Sequence, residues 1–530
     1  MNRSTVPFRA ILSISLMFLL FTAAASDSTA LGRLSSGNTS RTDREREAGV
    51  PPVVHSQPGD SSAGWEGRLR LRNTGKKQQY CWSDKTTFDE DIFSPKSVNF
   101  HPDGSRYYIN SLEGCKTVVY ETGTNRKLCV IDHRFPSGSG DKWAPRSSYY
   151  SFSHYPGGEN RAFAGKPVEG AFSHSGRYFW VPYYRRTFDI NAQDPSAVAL
   201  IDTRGDSIVR MFDTGPLPKM VAVSPDNRYV AITHWGDNTV GLIDISDKDM
   251  NGWHHLAPLV AGQRLSLDFP VDRPIDRDTH SGLKLRGTVF TPDGKYLLVS
   301  AMGGPLQVFD LVGMKYLGWI NSAYSVRHLV IRDGILYGSQ NVAATVISVP
   351  LDSIDSGIKR AAAVGGRNIA VRGWRSCKVG GGARTLDVSP DGKLLFVACN
   401  SASEIDVVDA VSMTVVDRIR VDSYPVGLAV SADGTRLVVT SQGRKGFGGN
   451  AVNLFDIIRP GVQPFSPLPA ADDEETEDIG DHLSSPETTV KRAGLAPWAY
   501  WIIPLLVVIA IALISVIFVN LHRKTKTTQK

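Results

Sequence analysis

The feature that most constrains this chain is a turn that recurs seven times. Each copy joins one apolar strand to another through a Ser-Pro-Asp-Gly-like stretch. The first reads Val98-Asn99-Phe100-His101-Pro102-Asp103-Gly104, and the second Ala171-Phe172-Ser173-His174-Ser175-Gly176-Arg177. Val223-Ser224-Pro225-Asp226-Asn227-Arg228 and Phe290-Thr291-Pro292-Asp293-Gly294-Lys295 follow. A shortened fifth copy is Val330-Ile331-Arg332-Asp333-Gly334. Val388-Ser389-Pro390-Asp391-Gly392-Lys393 and Val430-Ser431-Ala432-Asp433-Gly434 complete the set. A self-similar unit at this period decides the fold before any single element does. Proline presets φ, aspartate bonds its own backbone and glycine takes positive φ, so each copy is a tight turn between antiparallel strands.

The rest of each unit is also legible. A second strand follows the turn, as in Tyr296-Leu297-Leu298-Val299-Ser300. A third ends in aspartate: Leu200-Ile201-Asp202, Leu242-Ile243-Asp244, Val308-Phe309-Asp310, Val407-Val408-Asp409 and Leu454-Phe455-Asp456. These aspartates read as turn acceptors. A fourth strand comes next, as in Val415-Val416-Asp417-Arg418-Ile419. Four short strands repeated seven times predict an all-β, seven-bladed β-propeller of four-stranded antiparallel blades. The turns fall at 104, 176, 227, 294, 334, 392 and 434, and the shortest steps, 40 and 42 residues, give the bare blade. Longer steps carry insertions. The last blade has no clear fourth strand after Asp456, while Glu66-Gly67-Arg68-Leu69-Arg70-Leu71-Arg72 precedes the first blade unpaired. This N-terminal strand is predicted to complete blade 7 and remove an exposed edge. The alternative is a self-contained last blade that uses residues 462–465.

The Ser-Pro-Asp-Gly-Lys turn, the apolar strand and the following Ile-Asp resemble the YVTN-type repeat of YncE-like propellers, within the WD40/YVTN repeat-like and quinoprotein amine dehydrogenase-like group. Residues 424–440 and 218–244 carry the resemblance most closely, and it extends over residues 96–457. It implies a fold. It does not imply one activity, because DNA-binding propellers, lactonase-like enzymes and surface antigens share the repeat.

Both ends carry membrane signals. Arg9, the apolar run from Ile11 to Phe21 and Ala23-Ala24-Ala25 form a secretory signal peptide over residues 1–25. Residues 26–64 read as a disordered leader and 65–458 as the propeller. Residues 459–497 form a Pro-rich acidic stalk containing Asp472-Asp473-Glu474-Glu475. Residues 498–520 are long and apolar enough to be a transmembrane helix. The basic tail, 521–530, holds His522, Arg523, Lys524, Lys526 and Lys530, which predicts a single-pass type I protein with a cytoplasmic C-terminus and an extracytoplasmic propeller, in periplasm or cell exterior.

The net charge of +6 does not imply wholesale nucleic-acid binding, so the placement of charge matters more than its total. The residue five positions before each turn serine, or its equivalent, is Lys96, Val168, Lys219, Arg286, Arg327, Arg384 or Val426. Lys and Arg make up 59 of 530 residues, so five cations in seven places exceed chance. In a propeller the first strand of each blade is innermost, and its start lies at one mouth of the axial channel. Symmetry would aim these side chains at one region, where converging cations attract anions. The competing reading pairs them with acids of neighbouring blades.

The same face is predicted to collect insertions 132–167, 247–285 and 353–383 and loops 183–195 and 442–450. This face is also predicted to carry Arg185, Arg186, His234, Trp235, Asp237, His328, Arg444 and Lys445. The candidate ligand-binding set is Lys96, Lys219, Arg286, Arg327, Arg384, Arg185, His234, Trp235 and His328. His234-Trp235 also reads as a packed loop, with the tryptophan wedged between blades. Among five cysteines, Cys115 and Cys129 flank a hairpin turn and are a candidate disulfide. The other reading makes all five small buried core residues.

No G-x-S-x-G, H-E-x-x-H or Walker motif occurs, and no C-x-x-C-H haem site or C-x-x-C zinc pair, so no catalytic residue, metal or cofactor is assigned. The leading expectation is a membrane-anchored binding or scaffolding propeller for an anionic small molecule or protein partner. The alternatives are a lactonase-like or quinoprotein-like enzyme acting on an anionic substrate, and a nucleic-acid-binding propeller.

Overall fold

The structure is a computed structural model that describes residues 53–79, 86–266, 275–443 and 448–461. Seven antiparallel sheets succeed one another along the chain and close into a ring. Six have four strands. The second has more, because its inner strand is split into Phe163–Pro167 and Ala171–Ser173, and a short strand, Arg134–Phe135, adds beyond it. This is the seven-bladed β-propeller that the repeat predicts.

The turns form as their residues dictate. In blade 4, Thr291 Oγ1 donates to Asp293 Oδ1 at 2.6 Å, and the same oxygen accepts the Lys295 N–H at 3.1 Å. Gly294 then takes φ +70°, which costs glycine nothing. Blade 3 has Asn227 in that place at φ 55°, and Asn is the residue that best tolerates it after glycine. The third-strand aspartates act locally too: Asp244 accepts the Ser246 N–H at 2.9 Å and Asp310 the Val312 N–H at 3.1 Å.

The core is not one mass but seven, and each lies between two neighbouring blades. Leu298, Leu306 and Val308 of blade 4 meet Val326, Leu329 and Val349 of blade 5. Val438 and Leu454 of blade 7 meet Val98 and Ile109 of blade 1, which closes the circle.

Blade 7 is finished by the N-terminal strand, Arg70–Gln78, which pairs with Ala451–Ile458 in antiparallel register from Arg70↔Ile458 to Gln78↔Ala451. The strand begins four residues later than the sequence suggests. Leu71 is fully buried against the core between blades 6 and 7. Lys76 forms a second tie: its Nζ lies 2.9 Å from Asp422 Oδ1 and 3.0 Å from the Ser56 carbonyl, and both charged side chains are at most 1% exposed.

Four expectations are corrected. Insertion 353–383 does not enter the next blade. Its first part is a helix, Leu351–Ala363, between the third and fourth strands of blade 5, and so lies on the face opposite the mouth. The helix buries Ile354, Ile358 and Ala361 at helical spacing. Residues 247–285 are likewise divided, because His254–Val260 is the fourth strand of blade 3 and only 261–284 connects blades. Both fourth strands lack apolar alternation, which hid them. Third, Cys115 and Cys129 are free thiols. Cys129 sits opposite Val119, four positions from Cys115, or roughly 13 Å at ~3.3 Å per residue, too far for a disulfide. Cys377 and Cys399 are also free and buried.

Among the described residues no helix is long and apolar enough to cross a membrane. The signal peptide, residues 26–52 of the leader, residues 462–497 of the stalk, the segment 498–520, the alternative last strand at 462–465, Cys81, Arg444 and Lys445 lie outside the described residues. Residues 53–64, read as part of a disordered leader, are instead held to the propeller: Ser56 and Ser62 are buried, and the Ser62 N–H donates to the Leu71 carbonyl at 2.9 Å.

If the N-terminal strand closes the ring, Leu71→Ala lowers the free energy of unfolding by about 2–5 kcal/mol, read from the urea midpoint. A loss under about 0.5 kcal/mol would show that blade 7 stands without it.

Candidate functional site

The site begins with a backbone irregularity. Pairing between the first and second strands slips at the same place in six blades: Pro95/Ser97, Pro218/Met220, Leu285/Thr288, Val326/His328, Ala383/Leu386 and Pro425/Gly427. Lys96, Lys219, Arg286, Arg327, Arg384 and Val426 fall inside these bulges. A bulge leaves a residue unpaired and re-aims its side chain. In blade 2 the inner strand breaks altogether between Pro167 and Ala171, and the residues in the gap are Val168, Glu169 and Gly170.

Neighbouring blades hold these positions by their backbone carbonyls. Ser97 Oγ donates to the Val168 carbonyl, Thr233 Oγ1 to that of Arg286 and Thr385 Oγ1 to that of Val426, each at 2.7 Å. Ser339 Oγ donates to the Arg384 carbonyl. Gly287 permits the close approach: a Cβ there would lie 3.2 Å from the Arg327 carbonyl oxygen and 2.9 Å from Ser300 Oγ.

The side chains meet on Glu169. Its Oε1 lies 3.1 Å from Lys96 Nζ and 3.3 Å from Arg286 Nη2. Lys96, Arg286, Arg384 and Glu169 are all buried, while Arg327 is half-buried. Burial alone would raise the Glu169 carboxyl, but Lys96 and then Arg286 outweigh it and hold it below its ordinary range. Burial, then repulsion from Arg384, pushes Lys96 and Arg327 well below their ordinary values. Burial, with Arg384 again adding repulsion, brings Arg286 down to about 10. His328 stands beside the same carboxylate. Burial takes it to about 4, so it is neutral at pH 7, and its Nδ1 is buried without a hydrogen-bond partner.

Lys219 occupies a separate niche. Its Nζ lies 3.1 Å from Asp278 Oδ1, 3.8 Å from the centre of the Tyr184 ring and 4.7 Å from that of Trp235. Burial is the largest influence on it, and although Asp278 opposes this, its pKa falls to about 7. Trp235 Nε1 donates to the Asp278 carbonyl at 3.1 Å and so fixes the clamp. Arg185 reaches this corner only at the edge, 2.9 Å from Tyr184 Oη and 3.7 Å from Asp278 Oδ2.

The structure therefore brings Lys96, Lys219, Arg286, Arg327, Arg384 and His328 to one axial region, with Trp235 and Arg185 beside Lys219. It does not bring His234. That ring is fully buried inside blade 3, where Nε2 accepts the Gly215 N–H at 3.0 Å and Nδ1 donates to Thr239 Oγ1 at 2.7 Å. Thr239 in turn donates to Asp237 at 2.7 Å, and burial lowers His234 to about 3. Its role is to crosslink strands. Arg186 is likewise spent on the carbonyls of Gly158 and Ser196.

Sequence reasoning missed Glu169, Asp278, Tyr184 and Tyr424, whose ring lies 5.6 Å from the Arg384 guanidinium. Glu169 is adjacent to the position that counting assigned to blade 2, and the broken strand shifts the axial residue by one. Asp278 sits in a loop with no repeat to count from, while Tyr184, in the strand Tyr178–Arg186, and Tyr424, just before the strand Pro425–Val430, stand outside the counted position.

The balance of charge is one-sided. Two carboxylates, Glu169 and Asp278, take Lys96, Arg286 and Lys219, with Arg185 at the edge of Asp278. Among the described residues neither Arg327 nor Arg384 pairs with a carboxylate. Arg forks suit planar oxyanions, so these two guanidiniums have the chemistry that a carboxylate or phosphate would match. No group of His, Cys, Asp and Glu suited to a metal occurs among the described residues.

No protein-family model matches this sequence, and no curated protein matches it. Among solved structures, hydrazine synthase of Kuenenia stuttgartiensis is 14% identical with a TM-score of 0.47, covering 72% of this chain and 99% of that one. The β-propeller domain of Cps50 (Swd1) from Myceliophteria thermophila is 12% identical with a TM-score of 0.47, covering 69% and 97%. Likeness at this level carries no functional argument.

Glu169→Gln should cost about 3–5 kcal/mol at pH 7, because Lys96 and Arg286 lose their shared counter-charge. Glu169 has a lowered folded pKa, so its contribution is present above the unfolded value of about 4.3 and is lost as pH falls through the folded one. Urea unfolding should therefore show a gap between wild type and variant at pH 7 that shrinks in acid. An equal gap at both pH values would remove Glu169 from this role.

Proposed function

We propose that this chain is a binding propeller whose axial mouth takes an anionic ligand. The observation that supports it is the excess of buried cations over carboxylates where the bulged inner strands converge. A structural ion-pair network would match its charges, and this one leaves two guanidiniums without a carboxylate among the described residues. The Ser-Pro-Asp-Gly-Lys turns support placing the repeat in the YVTN type. The apolar segment 498–520, with its basic flank, supports display of the propeller outside a membrane.

Citrate at millimolar concentration and constant ionic strength should raise the melting temperature of the wild type. The double variant Arg327→Ala, Arg384→Ala should keep its fold and lose most of that rise. Equal shifts in both proteins, or none in the wild type, would exclude the axial site. Removal of residues 498–530 should release the protein from carbonate-washed membranes, and retention would exclude the anchor.

A further inference from the structure

We infer that the axial site selects a small di- or tricarboxylate over monovalent anions and over a single phosphate. This deepens the reading of the mouth as an anion site and rests on it. The argument starts from charge number. Lys96 and Arg286 share Glu169 and Lys219 takes Asp278, which leaves Arg327 and Arg384 with no carboxylate partner among the described residues. A monoanion satisfies one of them and leaves the other without a counter-charge. A ligand with two or three negative charges brings the region near neutrality.

The distribution of the cations decides between a compact and a branched anion. They come from blades 1, 3, 4, 5 and 6, so they approach the axis from different sides. Arg286, Arg327 and Arg384 stand on three successive blades and form a guanidinium arc. Lys96 comes from blade 1, with Glu169 of blade 2 between it and Arg286. Lys219 comes from blade 3 and is held back by Asp278 and two aromatic rings. A single phosphate presents all its oxygens within one small sphere, whereas these cations enter from five different blades. Carboxylates on a short carbon skeleton point in separate directions, and each matches a guanidinium fork.

Access fits the same ligand. Arg327, His328 and Tyr424 are half-buried while Arg286 and Arg384 lie deeper, so the arc is reached from the mouth. His328 is neutral, with an unpartnered buried Nδ1, and Tyr424 overlies Arg384. Neither adds negative charge to repel the ligand.

The test is isothermal titration calorimetry on the whole chain in detergent at fixed ionic strength and pH 7, with acetate, succinate, tricarballylate and inorganic phosphate as probes. Tricarballylate should bind at least tenfold more tightly than succinate, succinate at least tenfold more tightly than acetate, and phosphate more weakly than tricarballylate. Arg327→Gln removes one cation that has no carboxylate partner among the described residues, so the fold should persist. It should weaken tricarballylate about tenfold and acetate by a smaller factor. If acetate matches tricarballylate, or phosphate exceeds it, the selectivity fails while the anion site stands. If none of the four anions binds, the anion site itself fails.

Discussion

Every blade in this molecule is apolar on both faces, and that demands a closed circle. An open row of such sheets would leave two wet apolar faces. Seven cores in seven gaps are possible only because blade 7 meets blade 1, where Val438 and Leu454 pack on Val98 and Ile109. Blade 7 in turn is complete only because Arg70–Gln78 pairs along Ala451–Ile458. The buried Lys76–Asp422 pair locks that strand to the loop between blades 6 and 7. Removing one partner would strand a charge in a dry interior, so the pair specifies the closed register more than it adds stability.

The candidate site is a by-product of the same circular geometry. Inner strands that lie side by side around an axis have their edges, not their faces, turned to the centre. A side chain reaches the axis where a bulge releases it from the sheet, and six blades carry that bulge at one height. Repetition then multiplies whatever residue stands there. Arginine or lysine at five of seven positions produces an accumulation of charge that one ordinary strand could not assemble. The polar side chains that grip neighbouring carbonyls, such as Thr233 on Arg286 and Thr385 on Val426, hold the positions rigid without neutralising them.

What was legible in the sequence was what repeats. The turn chemistry gave blade number, strand direction and the axial position by counting. It also pointed to a missing last strand, which Leu69 and Leu71 supply with their burial. What repeats weakly was misread. The fourth strands His254–Val260 and Arg375–Lys378 carry little apolar alternation, so the insertions around them were assigned to the wrong connection and to the wrong face. The helix Leu351–Ala363 has a helical apolar period but stands inside an all-β pattern. Glu169 escaped because blade 2 breaks the rule that located its neighbours. His234 looked like a loop ligand and is a strand crosslink, a distinction that depends on Gly215 and Thr239, which only the fold brings to its two nitrogens.

The closing strand also sets the order of assembly. Leu71 pairs with Ile457, so the first strand of the described residues waits for the last of them. At about 5–20 residues per second this interval is tens of seconds. During it blades 1 to 6 can form and stack in sequence, but both ends of the stack stay open. Contacts of such long sequence separation are slow to form. The waiting segment, Arg68-Leu69-Arg70-Leu71-Arg72, alternates charge with leucine, and charged side chains on an unpaired edge discourage premature partners. The alternation that fits this strand to its place in the ring thus also keeps it soluble until the place exists.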